Sequence, residues 1–333
     1  MTTIYWAGGE DCDCYQLGGG AVTTSSFYYR STYARCALQV TNANDSAWEN
    51  WLPFTFSTGW FSARYNTSQV FNRGGNSAIL LNFRDASNIE RIRINCTSSN
   101  NTLQVYKVNA AGSATQLGSN FTMIASSISG SPDKLDIYLD YQASGTLTIY
   151  WNAIQVFTYS GDVTTDGNTS LSYFRCGGQN GGSNPSGAWS EIILADTDTR
   201  SWNLQTLAPV ANGNTHNFDT GSPAAANVNE TTLNDATLDG STSAGQIDQY
   251  TIPSIAAGTY TITAVGVSAR CQKGASGPTK MDLGVRSGGS DYWSSDQALT
   301  TTWAGYQNWW VTDPNTAATW AALPSNIGLK SVA

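Results

Sequence analysis

Residues 134–159 read KLDIYLDYQASGTLTIYWNAIQVFTY, and this stretch decides the fold class. Leu135, Ile137 and Leu139 alternate with Asp136, Tyr138 and Asp140, and beyond a Ser-Gly turn Leu147, Ile149 and Trp151 alternate again. Period-two alternation puts one set of side chains on each face of a strand. Trp151, Asn152 and Ala153 then fall where a second tight turn leads into Ile154–Phe157. The stretch predicts a three-strand antiparallel meander with one face buried.

The same pattern extends outward in both directions. Strands are expected at Thr3–Trp6, Phe27–Val40, Trp51–Arg64, Ala78–Arg84, Ile89–Cys96, Thr102–Val108, Leu171–Cys176 and Trp189–Ala195, punctuated by turns such as GGNS at 74–77. No stretch sustains a helical apolar period, and Ala43–Leu52 is expected to make one short helical turn. The pattern breaks near Asp196–Thr199, and residues 208–247 are turn-rich with few apolar anchors. Strands return at Gln249–Ile252, Tyr260–Ala269, Lys280–Arg286, Tyr292–Trp293 and Ala298–Val311. The expected fold class is therefore all-β, with two antiparallel β-sandwich domains at 1–198 and 201–333, the first a jelly roll. A chain of 333 residues is long enough for two cores.

Composition narrows the function. There are 12 Trp, 16 Tyr and 10 Phe but one histidine, and only 12% of residues are charged. The net charge of −8, with scattered Lys and Arg, argues against a nucleic-acid surface. No apolar run reaches the roughly 20 residues of a membrane helix. The N-terminus, MTTIYWAGGEDCDC, lacks a basic segment followed by an apolar one, so synthesis and assembly in a cytosol are expected.

The 134–159 meander resembles the core of concanavalin A-like and laminin G-like jelly rolls, and the resemblance spans roughly residues 1–198. A second resemblance lies in SWNLQTLAPVANGN at 201–214, YTITAVGVSARCQK at 260–273 and WWVTDPNTAATWAALPSNIGLKSVA at 309–333. Asp313-Pro314, Trp320 and Gly328-Leu329-Lys330 are its most recognisable words, and they look like the C-terminal part of structural proteins from tailed bacteriophages. This implies a non-enzymatic virion component, such as a fibre, spike or capsid decoration. It would be assembled in the host bacterial cytoplasm, in contact with other virion proteins and as a homo-oligomer. The lectin-like sandwich implies contact with bacterial surface glycans. A dedicated receptor adhesin and a glycan depolymerase are the rival readings. No site residue carries over from either resemblance.

The residues themselves give little for catalysis. Sugar hydrolysis wants two carboxylates roughly 5–10 Å apart, and Glu191, followed by IILADTD, has no second glutamate nearby. His216 sits in a turn-like NGNTHNFD context without a G-x-S-x-G motif, and reads as a loop histidine. The Gly-rich stretches lack the Lys-Ser/Thr of a phosphate loop. No cofactor is expected. Sugars are held by aromatic faces with polar neighbours, which makes Trp48, Trp51, Trp60, Trp189 and Trp309 the candidate glycan-binding residues, against the alternative that such rings fill cores or interfaces. Trp309 and Trp310 must point to opposite strand faces. Among six cysteines only Cys12 and Cys14 are close. Near a terminus and flanked by Gly and Asp, they are expected to be less buried than Cys96, Cys176 or Cys271 and available for a disulfide. A cation site at Asp11 and Asp13 would have few ligands.

Overall fold

Asp133–Asp140, Gly145–Trp151 and Ile154–Gly161 form the expected meander. Leu135 faces Trp151, Ile137 faces Ile149 and Leu139 faces Leu147, all pointing into the core. Both hairpins close for local steric reasons. A methyl group on Gly145 would lie 1.9 Å from the Asp140 carbonyl oxygen, so only glycine fits there. At the second turn Asn152 and Ala153 both have positive φ, 49° and 65°, as a two-residue hairpin with the right twist demands. Asn152 locks it by accepting the Lys134 amide on Oδ1 at 2.9 Å and donating to Asp133 through Nδ2 at 2.6 Å.

This computed structural model describes residues 4–10, 13–17, 21–25, 28–40, 47–51, 54–66, 78–97, 102–122, 132–177, 187–221, 225–255 and 260–333. They fall into two compact units, Met1–Thr206 and Leu207–Ala333. All named strand pairs are antiparallel, and no α-helix occurs among the described residues.

In the first unit the strands are β1 (Ile4–Ala7), β2 (Cys14–Leu17), β3 (Ala21–Thr23), β4 (Ala37–Val40), β5 (Ala47–Asn50), β6 (Thr58–Asn66), β7 (Ala78–Arg84) and β8 (Glu90–Cys96). There follow β9 (Thr102–Val108), β10 (Ala114–Thr122), β11 (Asp133–Asp140), β12 (Gly145–Trp151), β13 (Ile154–Gly161), β14 (Tyr173–Gly177) and β15 (Gly187–Ala195). One sheet has eight strands, in the order β13-β12-β11-β6-β15-β4-β3 with β1 also against β15. The other has seven, in the order β10-β9-β8-β7-β14-β5-β2. Non-consecutive neighbours in both sheets mark the crossed connections of a jelly roll. The core between the sheets is knitted by aromatic edges: Phe61 of β6 meets Phe83 of β7 at 5.8 Å and Phe174 of β14 at 5.3 Å. Tyr5 of β1 meets Phe174 at 5.5 Å.

The second unit contains β16 (Ala211–His216), β17 (Thr220–Gly221), β18 (Asp239–Gly240), β19 (Ile247–Thr251), β20 (Val265–Cys271), β21 (Lys280–Ser287), β22 (Ser290–Trp293), β23 (Gln297–Ala298), β24 (Ala304–Trp310) and β25 (Asn326–Val332). A six-stranded sheet, β16-β19-β25-β21-β22 with β23 beside β21, and the β20–β24 pair enclose a small core. Val265, Val267 and Tyr306 meet Met281, Leu283, Val285 and Trp320 there.

Several expected elements are corrected. Of the expected strand Phe27–Val40, Phe27 lies outside the described residues, and among the rest only Ala37–Val40 is extended, because turns at 28–36 intervene. The expected helical turn at Ala43–Leu52 is strand β5 over Ala47–Asn50, with positions 41–46 and 52 outside the described residues. The turn-rich 208–247 segment contributes strand β16, whose polar residues sit at a sheet edge where no alternation is needed. The first unit continues beyond the expected 198 boundary. Thr206 donates its amide to the Tyr33 carbonyl at 2.7 Å, and Gln205 reaches the Thr32 carbonyl.

Ala153 is the costly member of the second hairpin, since a left-handed conformation disfavours any side chain but is free to glycine. Ala153→Gly is expected to stabilise the first unit by about 0.5–1 kcal/mol, read as a melting point about 1–4 °C higher. A lower melting point would show that the turn does not hold this geometry.

Candidate functional site

Of the five tryptophans singled out by the sequence, the four in the first unit do not converge. Trp48 and Trp189 are 0% and 1% exposed, so both are corrected to core residues. Trp48 donates its indole N–H to the Gln39 carbonyl, and Trp189 packs on Tyr65 at 4.6 Å. Trp51 is half-buried and meets the exposed Tyr15 edge-on at 5.3 Å. Trp309 sits across from Gly266 on the side of the β20–β24 pair away from the core, while Trp310 pairs with Val265 and packs on the core.

Trp60 lies on the outer face of the eight-stranded sheet, beside Tyr138 at 5.2 Å and Tyr150 at 6.1 Å. This aromatic patch is already occupied. The Arg200 guanidinium lies 4.8 Å from the Trp60 ring centre and 4.7 Å from that of Tyr150, stacking on both. Asp198 holds Arg200 in place through a fork of hydrogen bonds at 2.7–3.1 Å. Lys134 donates to the carbonyls of Thr199, Arg200 and Trp202, and Thr199 meets Ser62 hydroxyl to hydroxyl at 2.6 Å. Residues 198–206 are thus a strap tied across this face, and Trp60 is one of its anchors.

The outer face of the seven-stranded sheet is different. Direct cross-strand pairing aligns Tyr15, Glu49, Arg175, Asn82, Arg93, Tyr106 and Gln116 in one row over all seven strands. Paired residues share a face, so this row stands opposite the core. Arg175 donates to Glu49 at 2.7 and 3.1 Å, and Arg93 reaches Glu90 at 2.5 Å. Tyr106 donates to Gln104 at 2.7 Å, and Gln104 and Gln116 both donate to Asn120. Tyr173 pairs with Arg84 alongside. Arg84 bonds the Asn88 carbonyl and side chain, and a shallow cleft of about 280 Å³ opens between Arg84, Glu90, Arg93 and the 109–112 turn. Asn82 and Asn95, 1% and 3% exposed, keep their Oδ1 atoms without a protein partner.

A β-bulge builds the charged end of this face. The register shifts between Phe83 and Arg84, pairing Arg84 with Glu90 and leaving Arg91 unpaired in the ladder. Glu90 thereby shares the side of Arg93, whereas Arg91 turns to a buried ion pair with Asp85 at 2.8 Å and to Asp166 at 2.7 Å. Sequence reasoning missed the row because its members lie as far apart as positions 15 and 175. The close Arg91–Arg93 spacing was its one local trace, and the bulge sends those two side chains to different places.

The other candidates resolve into structural groups. Glu191 occupies a bulge in β15 with φ of 51°, and its side chain is buried beneath Arg30, whose Nε donates at 2.9 Å. His216 stands at the end of β16 rather than in a loop, with Nδ1 2.6 Å from Asp248. The expected accessibility of Cys14 is corrected: it is a free thiol with no exposed surface, because β2 turns it into the core beside Tyr5. Burial pushes that thiol far up, away from the reactive thiolate. Cys12 and Asp11 lie outside the described residues. Among the described residues no group of three or more His, Cys, Asp or Glu is placed to hold a metal ion. The Asp13 carboxylate instead accepts the Gly8 amide at 2.8 Å and the Glu10 amide at 3.3 Å.

No protein-family model and no curated protein sequence matches this chain. Solved structures match part of this chain at low similarity. An endo-β-1,4-glucuronan lyase from the fungus Trichoderma reesei is 14% identical over 58% of this chain and 95% of its own, with a TM-score of 0.42. A legume lectin-like domain from Entamoeba histolytica is 14% identical over 56% of this chain and 91% of its own, with a TM-score of 0.38. The carbohydrate-binding module CBM66 from Bacillus subtilis is 8% identical over 53% of this chain and 91% of its own, at 0.34.

Asp13 sets a pH dependence of its own. Burial first, and the Glu10 charge second, raise its carboxyl pKa to about 7. Folded Asp13 therefore keeps a proton that the unfolded chain releases near pH 4, and this share of stability is lost as pH rises from about 4 to 7. Asp13→Asn keeps an oxygen for the Gly8 and Glu10 amides and carries no charge. The variant is expected to gain on the wild type in melting temperature between pH 4.5 and 7.5. Parallel melting curves for the two proteins across that range would contradict the assignment.

Proposed function

We propose that this chain is a non-enzymatic, exposed component of a tailed-bacteriophage virion, and that the outer face of its seven-stranded sheet binds a bacterial surface glycan. The virion role rests on the sequence resemblance carried by pieces of residues 188–333, and it includes assembly as a homo-oligomer among other virion proteins. A fibre, a spike and a capsid decoration all fit this reading.

The glycan role is carried by one observation, the cross-strand row of fixed hydrogen-bonding side chains between Tyr15 and Gln116. Sugar hydroxyls are recognised by donors and acceptors held in fixed orientation, with ring faces for the C–H patches. Here Arg175 and Arg93, oriented by Glu49 and Glu90, offer fixed donors on rigid strands, with the hydroxyls and rings of Tyr15, Tyr106 and Tyr173 beside them. Preorganised groups lose little entropy on binding, which suits a ligand that brings many weak contacts. The non-enzymatic part of the reading is supported by the same pairing. Glu49, Glu90 and Glu191 each lie against an arginine with little side-chain exposure, and hydrolysis needs a carboxyl group that reaches substrate.

The test is binding of the full chain to an array of bacterial surface polysaccharides. Arg93→Ala and Tyr106→Ala are each expected to weaken binding about tenfold or more, the scale of one lost charged or well-placed hydrogen bond. Trp309→Ala is expected to leave it unchanged. Retention of full affinity by both sheet variants, with loss in Trp309→Ala, would move the site to the second unit. Mass spectrometry of purified particles checks the virion assignment separately.

A further inference from the structure

The charges on this face do not cancel. Arg84, Arg93 and Arg175 stand against Glu49 and Glu90, in a chain whose net charge is −8. Arg93 and Arg175 have their carboxylates. Arg84 bonds only the neutral Asn88, and among the described residues it has no carboxylate partner. Its guanidinium is partly buried, and burial first and the Arg175 charge second hold it below the usual arginine range. Glu90, Glu49 and Asp85 offset that shift only in part and none is bonded to Arg84, so a bound oxyanion relieves the remaining cost of a partly desolvated cation.

The direction of the free donors is set by the bonds already made. Nε and Nη2 serve the Asn88 carbonyl, and Nε also reaches Oδ1 of Asn88. The two protons of Nη1 and the second proton of Nη2 remain, which is the end-on fork that matches a planar carboxylate. This guanidinium lines the shallow cleft of about 280 Å³ together with Arg93, at the lower edge of the size range of ligand sites. Asn109 and Gly112 of the β9–β10 turn form its opposite rim. Asn82, the cross-strand partner of Arg93, and Asn95, two residues along its strand, have Oδ1 atoms without a protein donor. Buried acceptors of that kind are ordinarily satisfied.

We infer that the Arg84 cleft is an anion subsite of the proposed glycan surface, and that the ligand is an acidic polysaccharide whose uronate carboxylate pairs end-on with Arg84. The inference rests on the glycan-binding reading above and narrows it to a chemical class. Arg93, already paired with Glu90, orients the sugar ring by hydrogen bonds, and Arg84 supplies the selective charge.

The experiment is isothermal titration of the full chain with hexasaccharides of galacturonate, glucuronate, mannuronate and guluronate, each beside its carboxyl-reduced counterpart. Reduction replaces the carboxylate by a hydroxymethyl group and leaves the ring hydroxyls in place. At least one acidic form is expected to bind ten times or more tighter than its reduced form. That preference is expected to vanish in Arg84→Ala and in Arg84→Gln, which keeps a donor for Asn88. It is expected to weaken as salt is raised, since the charge lies near the surface. Equal binding of acidic and reduced forms, or an unchanged preference in both Arg84 variants, overturns the anion subsite and leaves the glycan surface standing. Binding to none of the eight ligands overturns the anion subsite. The polysaccharide array then decides the broader reading independently.

Discussion

Strand register is the constraint on which the rest of this structure depends. Side chains in a sheet alternate with a period of two, so a slip of one residue would send every core side chain outward. In the first unit the register that turns Phe61, Phe83, Ile92, Val105 and Phe174 inward is the same register that aligns Glu49, Arg175, Asn82, Arg93 and Tyr106 outward. The apolar core holds that register, because a slip would bury the arginines and expose the aromatics. The polar row therefore comes with the sandwich and needs no separate scaffold. Where the register is broken, at the bulge beside Arg91, the break serves the same face: it brings Glu90 to Arg93 and removes Arg91 to a buried ion pair.

The two outer faces of the first unit show opposite uses of the same residue types. On the eight-stranded sheet, aromatic rings are spent on holding the strap, with Arg200 stacked on Trp60 and Tyr150. On the seven-stranded sheet Tyr15 stands at one end of the polar row and Tyr106 next to the other end, with Tyr173 alongside, and Tyr15 is 47% exposed. The second unit has a polar network of its own beside its core. Tyr250 places its hydroxyl 2.6 Å from Asp239 and 2.7 Å from Asp248, which also faces His216. One hydroxyl proton serves only one of the two carboxylates at a time, and burial raises the Asp248 pKa above its ordinary value.

Local alternation made the fold class legible, and long-range pairing hid the site. The 134–159 meander could be read to the residue because its hairpins are short and its neighbours are adjacent in sequence. β5 and β16 could not, since an edge or a four-residue strand carries too little alternation to outweigh turn-forming residues. Tryptophan count pointed to binding, but ring type alone does not separate Trp48 and Trp189 in the core from Trp60 under its strap. Cys14 illustrates the same limit. Its terminal, Gly- and Asp-rich surroundings suggested exposure, yet pairing of β2 with β5 drives it inward. Arg84, Arg93 and Arg175 looked scattered in the sequence and meet only once β7, β8 and β14 lie side by side.

The central claim is that the seven-stranded sheet presents the ligand face. Hydroxyl-radical footprinting of the full chain, with and without saturating host surface polysaccharide, reads this directly. The account predicts that oxidation of Tyr15, Tyr106 and Tyr173 falls on binding, while that of Trp60 and Trp309 stays constant. Protection at Trp60 or Trp309 with the three tyrosines unchanged would contradict it.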